Sequence, residues 1–578
     1  MPQPHVHRNI PDSRGTNAYR QDPELERLLR VYTDADVLDA VLPQFDRLGA
    51  LVGSELEALA LEADRHPPVL RPRGRDGADV QAIDKHPAYR RLEEIAFGEL
   101  GLAAMSHRAG VFNRDAPLPP IIKYGLTYLF VQAEFGLCCP LSMTDALTRT
   151  LRKFGSEDLV RRYIDGLTDQ DLDSLYQGAM FMTEQDAGSD VGAITTTARQ
   201  EDGIWRLYGD KWFCSNADAD LAMVLARPEG GADGTRGLTL FLLPRRLDDG
   251  SLNRYRIVRL KDKLGTRSMA SGEIVLEGAE AYVVGEPGNG FKQMTDMINM
   301  SRLSNGVRSA GLMRHGVNEG LFIARNRLAF GRRLIEMPLM RRQLVKMMVS
   351  AEQGRSMVFH TADRLARADA GDRDAARLLR ILTPLIKFRT TRDARKVAGD
   401  SMEIRGGCGY IEEWSDARVL RDAHLGSIWE GTSNIVALDV FRSIRREHTL
   451  AALHSHLSRL LAVAELPPHS HDLFSIQIEH AVAAAEHVAS DRAAEADVRT
   501  VATGLYNAAS AVFLAWEASR MEEDWRRLAL AHLVVQYKLL PRDPWTAGEL
   551  DDELLELLLA EQCLKADQAD RFRPREAG

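Results

Sequence analysis

Cysteine is scarce, with five in 578 residues. Cys138 and Cys139 are adjacent and the other three stand alone, so the chain has neither a disulfide framework nor a metal-ligand spacing. That usage fits a reducing compartment, expected here to be the cytoplasm. No apolar run reaches the roughly 18 residues of a membrane-spanning helix. The opening MPQPHVHRNIPDSRG lacks an apolar core, so no signal peptide is expected. Internal repeats and low-complexity tracts are missing too. Strands do not alternate with helices, which argues against a doubly wound nucleotide-binding sheet. GEPGNGF, 285–291, lacks the strand-then-helix setting of a phosphate loop and reads as a turn.

What is present is an ordinary globular composition, 45% hydrophobic and 27% charged. The length prior suggests roughly four domain-sized units. Charge is distributed unevenly. Residues 451–578 hold 21 acidic against 12 basic side chains, which accounts for the whole net charge of -9.

Five segments run along the chain. Residues 1–20 read as a polar arm. Residues 21–178 show apolar positions three and four apart, as in PAYRRLEEIAFGELG, and predict a helical domain. Residues 179–284 switch to short apolar runs broken by Gly, Pro and Asp, which predict a β-domain. Within it, GIWRLYGDKWFCS reads as two strands turning at Gly209–Asp210. Helical periodicity returns over 285–447, and an Ala- and Leu-rich helical extension fills 448–578. The expected fold is mainly α with a central β-domain.

Several short stretches offer chemistry, each with a plainer alternative. FMTEQDAGSDVGA, 181–193, presents Thr183 and Ser189 in a loop able to meet a ligand, or is a simple turn. Trp212 and Phe213 wall a flat ring system, or pack a core. Arg327 in RNRLAFGRRL forks onto a phosphate, or decorates a helix face. Gly406 and Gly407 in EIRGGCGY allow close backbone approach, or cap a helix. Glu430 in SIWEGTSNI is a lone acid among small and apolar neighbours. As an isolated stretch it reads as a helix start with Ser427 as N-cap.

The order of these stretches is more specific than any one of them. TEQDAGSD, KWFCS, KDKLGTRSMAS, RLAFG, RGGCGY and SIWEGTSNI together resemble the acyl-CoA dehydrogenase family over about residues 85–445. MTEQDAGSDV, Trp429, PLMRRQL and the long extension resemble its AidB branch in particular. The resemblance implies an N-terminal helical domain, a barrel-like middle β-domain, a four-helix C-terminal domain, a further helical extension, and bound FAD. Thr183, Ser189, Trp212, Phe213, Ser215, Trp429 and Asn434 then match flavin-side positions. Arg327, Gly406 and Gly407 match positions that reach the FAD of a neighbouring subunit, so a homotetramer is implied.

Glu430 matches the family's base, which takes the α-proton of an acyl-CoA while the β-hydrogen leaves as hydride to flavin N5. An ordinary carboxylate is a weak base for such a proton, so a desolvated setting is implied. Arg302 matches a substrate-side position. Ser301 stands where a minority of relatives carry the base, and serine cannot serve as one. An aspartate at 430 would have pointed to the nitroalkane oxidases of the same fold. Pro338 replaces a glutamine found in many relatives, so one polar contact is expected to be missing. The implied activity is an FAD-dependent acyl-CoA dehydrogenase passing electrons to an electron-transfer flavoprotein. Alternatives are a DNA-associated flavoprotein of the alkylation-damage response with weak dehydrogenase activity, or a fatty-acyl-CoA sensor. DNA is disfavoured by the acidic extension, although Arg526–Arg527 and RFRPR leave basic spots.

Overall fold

The computed structural model describes residues 10–541, 545 and 552–574. Residues 1–9 of the expected arm therefore lie outside the described residues. The following residues lie against the core: Gly15 donates to the Gly53 carbonyl at 2.7 Å and Ala18 to that of Gly49 at 2.9 Å.

The N-terminal region is helical: α1 (Pro23–Tyr32), α2 (Ala35–Leu51), α3 (Glu57–Arg65), α4 (Pro87–Glu93), α5 (Pro120–Phe130), α6 (Cys138–Phe154) and α7 (Glu157–Leu167). It also carries an antiparallel hairpin that the helical periodicity did not announce, β1 (Val69–Arg73) and β2 (Asp79–Asp84). Gln81 of β2 accepts at its side-chain oxygen from Ile257 of the middle domain at 2.8 Å. The hairpin thus belongs to the contact between two regions, which local periodicity does not encode.

The middle domain holds β3 (Gly178–Phe181), β4 (Thr197–Glu201), β5 (Ile204–Ser215), β6 (Leu221–Pro228), β7 (Thr239–Pro244), β8 (Tyr255–Leu260) and β9 (Ser271–Val283). The ladder runs β3-β6-β4-β5-β9-β7, and a β6–β7 pairing closes it into a small barrel with β8 outside on β9. Closure removes the free edges of an open sheet. The expected turn at Gly209–Asp210 is absent. β5 is one continuous strand through both residues, paired to β9. Gly209 has φ 137°, and a Cβ there would lie 2.9 Å from Thr196 Cα. The glycine serves a close approach to the neighbouring strand region, not a reversal.

The helices that follow are α8 (Gly290–Asn326), α9 (Pro338–Asp369), α10 (Arg373–Arg405), α11 (Ser415–Gly426) and α12 (Ser433–Glu447). Pro338 sits at the first position of α9, where a missing N–H costs nothing. In the extension, α13 (Thr449–Val463), α14 (Pro468–Ser490), α15 (Val498–Ala518), α16 (Arg526–Val534), α17 (Asp552–Leu559) and α18 (Ala566–Asp570) pack around α9 and α10.

A buried ionic network ties this extension to the core. Arg527 bridges Glu517 at 2.8 Å, Glu352 at 3.1 Å and Glu24 at 3.4 Å. Arg355 meets Asp22 at 2.6 Å and Arg314 meets Glu561 at 2.6 Å. Arg526 and Arg527 are fully buried in it, so this dipeptide presents no basic surface.

Candidate active site

Glu430 does not begin a helix. α11 ends at Gly426, α12 starts at Ser433 behind the N-cap Thr432, and Ser427 donates to the His424 carbonyl at 3.3 Å. Glu430 and Gly431 follow each other with φ 58° and 101°. Two successive left-handed residues make a sharp turn that a non-glycine adopts only under constraint. Here the constraint comes from polar neighbours: Lys387 of α10 donates to the Gly431 carbonyl, and Arg302 of α8 donates to the Glu430 carbonyl at 3.4 Å.

The Glu430 side chain borders a cavity of about 1040 Å³ whose wall also includes Ser189, Met180, Met182, Phe291 and Arg302. One carboxylate oxygen accepts from the Ser301 hydroxyl. The other, Oε2, is buried and has no hydrogen-bond partner among the described residues. Arg302 pairs with Asp439 at 2.6 Å, and Arg380 reaches the same carboxylate at 2.9 Å. Burial would raise the Asp439 pKa, but the two guanidiniums hold it below the usual range. Burial pushes Lys387 down to about 7, against the opposing pull of Glu430.

The other expected residues fall into two groups. In the first, the Trp212 N–H donates to the Thr183 carbonyl at 2.8 Å, and Phe213 packs edge-on against Trp212. Lys261 lies 3.4 Å from the Trp212 ring centroid, and Phe213 remains 56% exposed. Ser215 ends β5, where it pairs with Ser271 of β9. The loop carrying Thr183 is fixed by buried Glu184, which accepts from Thr195 N at 2.7 Å and Lys211 at 2.7 Å.

In the second group, Arg327 donates to the Arg405 carbonyl at 2.9 Å, beside Gly406, which caps α10 with φ 74°. Gly407 follows in the same turn. Lys387 touches Gly431, and Gly406 lies 19 residues farther along α10, about 28 Å at the α-helical rise. This corner is therefore remote from the Glu430 cavity of its own chain. Asn434 lies at the start of α12, where Arg499 of the extension donates to it at 3.2 Å.

Trp429 stacks on Phe135 with ring centroids 6.0 Å apart, and the Arg308 guanidinium lies 4.7 Å from the Trp429 ring. Sequence reasoning did not single out Arg308 or Lys387, and it treated Ser301 only as an incapable base. All three lie within long helices whose local pattern is that of core packing, so no motif marks them.

A helical domain, a closed β-barrel and a helical bundle meeting at a buried carboxylate define an acyl-CoA dehydrogenase fold. Family comparisons agree. Residues 288–444 match the acyl-CoA dehydrogenase C-terminal domain, 179–279 its middle domain, and 9–174 the adaptive response protein AidB N-terminal domain. The chain is 33% identical over 457 residues to acyl-CoA dehydrogenase family member 11 of Caenorhabditis elegans, covering 77% of this chain and 73% of that protein. It is 33% identical over 434 residues to the putative acyl-CoA dehydrogenase AidB of Escherichia coli, covering 72% and 75%. The structure of Caenorhabditis elegans ACDH-11 in complex with C11-CoA is similar with a TM-score of 0.86, at 27% identity and 94% coverage of both chains. The chain belongs to the acyl-CoA dehydrogenase family of oxidoreductases, with an AidB-type N-terminal domain.

Proposed function

We propose that this chain oxidises the α,β carbon–carbon bond of an acyl-CoA to a 2-enoyl-CoA, with Glu430 as the base. The observation that carries this reading is the Glu430 carboxylate. One oxygen is held by Ser301, the other is buried without a hydrogen-bond partner, and the residue itself lines the cavity. An oxygen without a hydrogen-bond partner keeps its lone pairs for a proton, and the Ser301 hydroxyl orients the carboxylate. The Glu430 N–H, in a turn held by Arg302 and Lys387, is the candidate donor to the thioester oxygen. Lys292, Arg442 and Arg446 line the same cavity and suit the phosphates of CoA.

The residues present fit FAD. Phe213 offers a half-exposed apolar face beside Trp212 and Ser215, and the Thr183–Ser189 loop is fixed from below by Glu184. Bound there, FAD would accept the two electrons that leave the β-carbon. Trp429 closes the other side of the base. The remoteness of Arg327, Gly406 and Gly407 from their own cavity supports their serving a neighbouring copy, and hence a homotetramer. Phe330 and Tyr410, 95% and 82% exposed, are the apolar side chains such an assembly would cover. An electron-transfer flavoprotein is the expected acceptor. The DNA-associated reading loses support because Arg526 and Arg527 are consumed in buried ion pairs. No helix among the described residues is long and apolar enough to cross a membrane.

The test is anaerobic titration of the flavin-loaded protein with acyl-CoAs, alongside Glu430→Gln. Bleaching of the visible flavin band by the wild type should slow by about 100- to 10,000-fold in the variant. Equal bleaching in both would remove Glu430 from the role of base.

A further inference from the structure

Lys387 lies in the middle of α10 among buried apolar neighbours and is only 1% exposed. Its ammonium donates to the Gly431 carbonyl. Among the described residues that is its one hydrogen-bond partner, and no carboxylate stands within ion-pair distance of it. Burying an ammonium without a counter-charge is costly, and a methionine of similar length would fill the space without that cost. Packing alone does not account for the lysine.

The bond falls on the turn that carries the candidate base. Glu430 and Gly431 have φ 58° and 101°, and a non-glycine holds such a conformation only where its surroundings over-determine it. Two cations from two helices do so here. Arg302 of α8 donates to the Glu430 carbonyl at 3.4 Å, and Lys387 of α10 donates to the next carbonyl. Arg302 is shared, since it also pairs with Asp439 at 2.6 Å. Lys387 is committed to the turn alone. Glu430, Gly431 and Arg302 line the cavity and Lys387 does not, so it reaches a ligand through the turn and not by contact.

Its charge also acts on the carboxylate. Burial lowers the Lys387 pKa to about 7, Glu430 opposes that shift and Arg302 adds to it. These two are the charged groups that act on it from the elements packed against α10. The coupling is mutual, so the ammonium favours the carboxylate form of its neighbour.

We propose that Lys387 is a positioning residue of the reaction. It clamps the Glu430–Gly431 turn so that the carboxylate and the Glu430 N–H meet the thioester together, and it places a positive charge beside the base. This rests on the reading of Glu430 as the base of an acyl-CoA site.

The test uses the flavin-loaded protein with Lys387→Met, Lys387→Gln and Lys387→Arg. Saturated acyl-CoAs from butanoyl- to hexadecanoyl-CoA are screened by calorimetry, and the tightest binder is carried forward. Two rates are then read, exchange of the α-protons with D2O and reduction of the flavin. At about pH 6 the wild-type lysine keeps its proton. There Lys387→Met should lose about 10- to 100-fold in both rates. Affinity should change by less than about threefold, because Lys387 touches no ligand. The acid limb of the exchange rate should move to higher pH by about one unit in Lys387→Met and Lys387→Gln. It should stay in place in Lys387→Arg, which keeps the charge. A purely structural lysine would change the amount of folded protein and leave that limb where it is.

Unchanged rates in Lys387→Met, an unmoved limb, or a loss carried by affinity alone overturns the proposal. If Lys387→Met alone does not fold, Lys387→Gln decides. Failure of both neutral variants to fold also overturns it, since the lysine would then serve the fold itself. If the wild type exchanges α-protons but leaves the flavin oxidised, the oxidation reading fails and exchange alone decides the clamp. If the wild type reduces the flavin and the variants match it, the oxidation reading stands and the clamp falls. If no acyl-CoA binds, both fall.

Discussion

Two sets of buried arginines divide this molecule. Around the extension, Arg527, Arg355 and Arg314 each face carboxylates at ion-pair distance. On the active face of α8, Arg308 is equally buried and faces aromatic rings, with no carboxylate in ion-pair distance among the described residues. Burial alone therefore does not mark function. A paired cation is settled by the chain itself and binds its regions together. An unpaired one retains its desolvation cost. The same distinction separates the carboxylates: Glu352 sits among guanidiniums and is held down to about 2 despite burial, whereas Glu430 keeps one oxygen unpartnered.

Breaking the paired set should have the largest effect. Arg527→Met leaves Glu517 without its ion-pair partner and removes one of the cations around Glu352, and should destabilise the fold by about 3–5 kcal/mol, read by denaturant unfolding. A loss below about 1 kcal/mol would mean that the extension is held by apolar packing alone. Glu561→Gln is milder, because Arg314 keeps Asp22 and Glu352 within 3.5 and 3.6 Å. A loss of about 1–3 kcal/mol is expected in the same assay.

Lys387 sharpens the comparison through pH. Burial lowers its pKa to about 7 from 10.5. Between those values the unfolded chain holds a proton that the folded one lacks, so this residue makes stability rise with pH from about 7 upward. The contribution is complete above 10.5 and lost as pH falls through 7. Lys387→Met should flatten that rise in thermal melts taken from pH 7 to 9. An unaltered slope would place the effect elsewhere.

Arg308→Met should change stability least, or raise it slightly, since no pair is broken and a charge is removed from an apolar setting. A melting temperature that falls as far as that of Arg527→Met would erase the distinction between the two sets.

Much of the candidate site was legible because it is local. Glu430, Trp429 and the Thr183–Ser189 loop lie in short stretches whose residues must adjoin in sequence to turn the chain as they do. Arg327 with Gly406 was legible as a pair of motifs, although only the length of α10 shows that they lie too far away to serve their own cavity. The β1–β2 hairpin was missed because its partner, Ile257, lies 176 positions from Gln81. Gly209 was misread because glycine marks turns and close backbone approaches alike, and the neighbouring backbone decides which. Arg526 and Arg527 were taken as basic surface because a dipeptide does not reveal which acids surround it.

The sequence by itself determined the family and the order of helical and β regions, and it singled out Glu430 as the candidate base, since these depend on periodicity and on motifs contiguous in the chain. Only the tertiary structure decided which buried charges are paired and which are not. Glu24, Glu352 and Glu517 come from distant parts of the chain to surround Arg527, while nothing comparable reaches Arg308. Whether a buried charge is paired depends on groups brought together across hundreds of residues, and desolvation makes that pairing worth several kcal/mol.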